Sequence, residues 1–175
     1  NPVRPALIWM DVRSAEQAEQ MVATEDDALR INSNGSGPVS AEWMIPKALW
    51  IKQNEPEIFE HAVIICEYQD YINLHLTGRL GASINNVSTR WHCDYSREGV
   101  PKSLLEKLDL GELAEKWPQE VLQLGEVVGG LTHRAAEHLG LTIALLALSK
   151  NWFWGQIADE SADNKSNPKS KSKAE

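Results

Sequence analysis

The 175-residue sequence is poor in cysteine, carries no excess of positive charge and has no long apolar run. Each shortage excludes a class of protein. Two cysteines, Cys66 and Cys93, supply neither a disulfide framework nor zinc-ligand spacing, which points to a reducing compartment. A formal net charge of −8 leaves no cationic surface to displace counterions, so nucleic acid without sequence preference and anionic membranes are excluded as partners. The longest apolar run, residues 139–148, is too short and too interrupted to cross a bilayer. The first residues, with Pro2 and Pro5, hold no apolar segment of a secretory signal. The glycine-rich GEVVGG, residues 125–130, lacks the Gly-Lys-Ser/Thr of a phosphate loop and the spacing of a dinucleotide fingerprint, so its glycines are assigned to turns. These exclusions leave a soluble, cytoplasmic protein, with organellar targeting upstream of residue 1 left open.

What is present is a globular composition, 42% apolar and 24% charged, in a chain long enough for one domain with a core. Ala6–Met10 reads as a buried strand and Ser14–Val22 as a helix capped by Ser14. Residues 31–40 are turn chemistry throughout. Residues 40–45 are then expected extended, with Pro46 in the first turn of a helix to Gln53. Asn54 and Glu57 read as a capping pair for a helix over 55–61. Ala62–Cys66 (AVIIC) reads as a buried strand and Asp70 as the cap of a helix from Tyr71 to Leu76, stopped by Gly78. Residues 83–91 read as loop and strand. Short helices are expected at 102–108, 111–116 and, capped by Thr132, up to Leu139 before Gly140. Strands alternating with helices make the class α/β, with helix predominating. The polar stretch 159–175 has nothing to bury and is expected to be disordered. Both ends read as cut edges.

Several residues have the right chemistry for a site. Glu42 and Trp43 stand just before a helix, where a carboxylate can accept from ligand hydroxyls. Lys47 sits in a first helical turn, where the helix dipole disfavours a cation, so an anionic partner is expected. Glu67, Gln69 and Asp70 follow the expected strand 62–66, at the end where open α/β sheets bind ligands. Asn85, Asn86, Ser88 and Thr89 form a polar cluster. His92 beside Cys93 resembles a thiol pair only by adjacency, and catalytic cysteine and histidine meet in space rather than in sequence.

The order of segments carries more. WMDVRSAEQA, SAEWMIPKALWIKQNEPEIF, ICEYQDYINLHLTG, NNVSTRWHCD, KWPQEV and GEVVGGLTHRAAEHLGL together resemble the N-terminal domain of FGGY-family carbohydrate kinases, pentulose and ribulokinase-like members most. The resemblance implies a partial ribonuclease-H-like domain of the actin and hexokinase superfamily over residues 1–142, followed by a divergent apolar segment, 143–158. It implies ATP-dependent phosphorylation of a pentulose or polyol hydroxyl, with ATP and Mg serving the full-length enzyme and not expected to bind this stretch well. The same resemblance assigns Glu42 to a sugar hydroxyl and Trp43 to the pocket wall. Asp11 and Arg13 it places near the cleft, and Lys47 on the same wall. The family's Asp-x-Gly-Thr-like and Gly-Gly-x-Asp-like segments have no counterpart here, so neither a catalytic base nor a metal ligand is assigned. Two readings stay open: the substrate-side part of a pentulose kinase, or a catalytically inactive sugar-binding or scaffold domain.

Overall fold

The computed structural model describes residues 1–33, 39–96 and 99–141 and the backbone of 147–149. Helix dominates. Helix α1 (Ala15–Ala23) is followed by a 3-10 turn (Asp27–Leu29), α2 (Arg30–Ser33), α3 (Met44–Asn54), α4 (Pro56–His61) and α5 (Tyr68–Thr77). Then come β1 (Ala82–Ser83), α6 (Ile84–Thr89), α7 (Lys102–Lys107), α8 (Leu113–Lys116), β2 (Val121–Leu122), β3 (Val127–Gly130), α9 (His133–His138) and β4 (Ala147–Ser149). β1 and β2 pair in parallel, Ala82 opposite Val121, so α6 to α8 form the crossover between them. β3 pairs antiparallel with β4. The helix-rich, partial α/β class is the expected one.

The core is a single cluster. Met21 of α1, Ile45 and Leu49 of α3 and Phe59 of α4 meet Trp91, Leu104, Leu105, Leu110, Leu113 and Trp117, all essentially without solvent exposure. Trp91 and Trp117 stack with ring centroids 4.8 Å apart. Helices α1 and α3 are also joined by a relay of amides: Gln17 Nε2 donates to Gln53 Oε1 at 2.7 Å, and Gln53 Nε2 to Gln20 Oε1 at 3.0 Å.

Three helix ends stand where their capping chemistry places them. Gly78, at φ 75°, ends α5 in the left-handed region. Thr132 Oγ1 accepts from Ala135 N–H at 3.2 Å and opens α9, which Gly140 closes at φ 68°. The helices at 102–107 and 113–116 also lie where expected.

The strand expectations do not hold. Residues 6–10 form an irregular stretch and a turn, with Ile8, Trp9 and Met10 54%, 66% and 60% exposed. Residues 62–66 are irregular too, and Val63 is 81% exposed. An apolar run becomes a strand only beside a partner, and no strand among the described residues flanks either one; Ile65 N–H reaches instead to the Lys116 carbonyl at 2.7 Å. Residues 84–89 are helical because Arg90 N–H closes an i to i−4 bond on Asn86.

Several caps differ as well. The Ser14 hydroxyl leaves its own helix and donates to the Ala41 carbonyl at 2.7 Å. Helix α3 begins two residues before Pro46, since a proline in the first turn has no N–H that the helix needs. Asn54 belongs to α3, its amide donating to the Trp50 carbonyl, so it does not cap α4. Asp70 is buried inside α5, which opens earlier through Asp70 and Tyr71 N–H groups on the Glu67 carbonyl. Gly129 and Gly130 lie in β3 rather than in a turn. A side chain at Gly129 would stand 3.3 Å from Thr77 Cβ, so glycine lets β3 lie against α5. The tripeptide 152–154 (WFW), the tail and most of 143–158 fall outside the described residues.

Candidate functional site

Four stretches converge at the start of α3: the turn before α1, the loop 40–43, Glu67 just before α5, and Arg90 just after α6. In the first, Asp11 N–H donates to the Ile8 carbonyl at 3.1 Å, closing a tight turn with Trp9 and Met10 at its tip. Arg13 binds the Asp11 carboxylate through its backbone N–H (3.1 Å) and its Nε (2.9 Å to Oδ1, 3.0 Å to Oδ2). These bonds hold the Asp11 carboxyl below its ordinary range, the side-chain bond most of all. The Arg13 guanidinium also lies over the Trp50 ring, 4.7 Å from its centroid. Arg13 thus fixes the Asp11 carboxylate in place.

Lys47 is the hub. It is 7% exposed, and its Nζ donates to the Ile8 carbonyl at 2.8 Å. Burial, then repulsion from Arg90, lowers its pKa, while Asp11, Glu67 and Glu42 act in the opposite sense. The hydrogen bond of this first-turn lysine is thus to a main-chain oxygen, and the three carboxylates act on it through their field rather than as contact partners.

The loop before α3 is tied along its backbone. Ala41 O accepts from Ser14 Oγ, Glu42 N–H donates to Ser40 Oγ at 3.2 Å, Glu42 O accepts from Arg90 Nη2 at 2.9 Å, and Trp43 N–H donates to Ser40 O at 3.1 Å. Glu42's carboxylate itself makes no hydrogen bond or contact ion pair among the described residues. Trp43 is half-buried, its ring edge-on to His92 at 5.1 Å. A fixed main chain presenting an unoccupied carboxylate beside an indole can accept from ligand hydroxyls and cover an apolar face.

Residues 1–148 match the N-terminal domain of the FGGY family of carbohydrate kinases. The chain belongs to that family. It is 31% identical to a ribulokinase of Staphylococcus aureus (strain N315) over 150 residues, 81% of this chain and 27% of the relative. It is 27% identical to a xylulose kinase of Klebsiella pneumoniae over 162 residues, 81% of this chain and 32% of the relative. The crystal structure of xylulose kinase from Rhodospirillum rubrum superposes with a TM-score of 0.65 at 24% identity, covering 80% of this chain and 28% of that one, which supports the fold. The FGGY chain thus spans about a third or less of the length of these relatives.

Within this FGGY domain, four of the five predicted residues share one neighbourhood: Glu42, Lys47 and Asp11 through their electrostatic coupling, and Trp43 through the loop. Arg13 reaches it only through Asp11. Sequence reasoning passed over Arg90, whose partners lie 23 and 48 residues away, and the exposed Trp9 at the turn tip. Asn85 and Thr89 belong to α6, where Thr89 Oγ1 donates to the Asn85 carbonyl at 2.7 Å. His92 and Cys93 form no reactive pair: burial lowers the imidazole to about 4 and raises the thiol to about 12. No helix among the described residues is long and apolar enough to cross a membrane.

The described residues assign no seat to Mg-ATP. No group of three or more His, Cys, Asp or Glu side chains among them is placed to hold a metal ion. GEVVGG, for its part, is a turn leading into a strand.

Proposed function

We propose that this domain is the sugar-side wall of a pentulose kinase that phosphorylates a sugar hydroxyl from ATP with Mg. Glu42 accepts hydrogen bonds from the sugar hydroxyls and Trp43 closes the pocket beside it. Lys47 holds the turn of residues 8–11 against α3, and Asp11, fixed by Arg13, supplies a second acceptor. The observation that carries this reading is Glu42: a carboxylate without a hydrogen-bonding partner among the described residues, on a main chain fixed by neighbouring side chains. Family membership and the likeness to ribulokinase and xylulose kinase support the substrate class.

Calorimetry of the chain with D-xylulose, D-ribulose, L-ribulose and glycerol tests it. One pentulose is expected to bind, and Glu42→Gln to raise its Kd about 10-fold, the worth of a hydrogen bond to a charged acceptor. A folded chain that binds none of the four, or binds one equally well after the substitution, refutes the assignment.

A further inference from the structure

We infer that Arg90, oriented by Glu67, is a positioning residue for Glu42. This rests on the proposed reading that Glu42 contacts the sugar. Arg90 touches none of Glu42's carboxylate oxygens in the bonds it makes; it holds the Glu42 main chain. Its Nη2 donates to the Glu42 carbonyl at 2.9 Å, and its Nε donates to Glu67 Oε1 at 2.8 Å. The same Glu67 oxygen accepts from Trp91 Nε1 at 2.9 Å. Trp91 is fully buried against Trp117. The indole fixes the carboxylate, the carboxylate fixes the guanidinium, and the guanidinium fixes the loop that presents Glu42.

The clamp joins three separate parts of the chain: residue 67 ahead of α5, residues 90–91 after α6, and residue 42 ahead of α3. Both charged members are shielded, with 29% of the Arg90 side chain and 15% of the Glu67 side chain exposed, so solvent weakens the pair less than it would on an open surface. The work needs a planar fork with two donors at a fixed angle. A lysine offers a point charge and cannot hold both acceptors in that geometry. Ser14, from α1, ties the preceding carbonyl and leaves Glu42 to Arg90.

Two measurements test the clamp. In the first, pentulose Kd is read for wild type, Arg90→Met, Glu67→Gln and each combined with Glu42→Gln. Arg90→Met is expected to raise Kd about 5-fold and Glu67→Gln somewhat less, with no further rise in the Glu42→Gln background, because both act through Glu42. Arg90→Lys is expected not to rescue. In the second, hydrogen exchange is read at the Glu42 and Trp43 amides, which need no sugar. These amides are expected to exchange at least about 10-fold faster in Arg90→Met, with the amides of α1 unchanged. Should Arg90→Met not fold, Glu67→Gln and Arg90→Lys, which keep size or charge, give the same reading. Unchanged exchange at Glu42 and Trp43 overturns the inference, as does a Kd effect of Arg90 that persists in full without the Glu42 carboxylate. If no pentulose binds the folded wild type, the proposed function fails, and the exchange rates still decide the clamp.

Discussion

Acidification from pH 7.5 to pH 5 should destabilise this domain by about 2 kcal/mol through one residue, His92. The ring is 2% exposed, and burial lowers its pKa from the ordinary 6.5 to about 4. Asn32 Nδ2 lies 3.3 Å from His92 Nε2 and also donates to the Thr89 carbonyl, which fixes it as a donor. A protonated Nε2 would face that donor with a second one. The sign follows from which state binds the proton. Between pH 6.5 and 4 the unfolded chain holds it and the native state does not, so stability is full above about pH 6.5 and falls as the pH drops towards 4. The whole interval amounts to about 3 kcal/mol, a sizeable share of the roughly 5–15 kcal/mol that stabilises an ordinary domain. The carboxyls held low, Asp11, Asp26 and Glu112, act only at and below their ordinary values of 3.8 to 4.5, outside most of this window. Urea unfolding at pH 7.5, 6.5, 5.5 and 5.0 measures the slope. His92→Asn is the matched variant, because asparagine tolerates the left-handed backbone at φ 56° and does not titrate. Its plateau should be lower and its slope nearly flat. Parallel slopes in the two proteins would refute the reasoning.

Two further substitutions probe how the domain is held. Asp26, 5% exposed, accepts from Ala28 N–H at 2.9 Å and Ser103 Oγ at 3.1 Å and pairs with Lys107 Nζ at 3.0 Å. Burial raises its pKa, but these bonds more than offset that and the net shift is downward, so its contribution is present above its ordinary range and lost as the pH falls below it. Asp26→Ala should cost about 2 kcal/mol in urea unfolding at pH 7, and a loss under 0.5 kcal/mol would show that the network is not stabilising. Thr132→Ala should cost about 1 kcal/mol by removing the cap of α9. Thr132→Ser should restore most of it, and a serine variant as unstable as alanine would assign the loss to the methyl group instead.

The hydroxyl of Thr132 and the backbone freedom of Gly78 act within a few residues of the helices they bound, so both were legible from neighbouring letters. Ser14 and Asn54 show where that legibility ends. Each is a good cap by type, but Ser14 found a carbonyl 27 residues away and Asn54 was absorbed into the preceding helix. Apolar runs 6–10 and 62–66 are equally instructive. Composition favours a strand, but a strand is a relation between two segments, and no single segment states whether its partner is there.

The sequence by itself determined the helix-rich α/β class, because helix caps, amphipathic spacing and residue type are properties of short stretches, and the order of its segments carried the resemblance to the FGGY family. Only the tertiary structure decided that Arg13 fixes the Asp11 carboxylate, that Lys47 is buried with its Nζ on the Ile8 carbonyl, and that among the described residues Glu42's carboxylate has no hydrogen-bonding partner on a loop held by Arg90. Charge pairing depends on distance in space. Residues 42, 67 and 90 become neighbours only when α3, α5 and α6 close on one core.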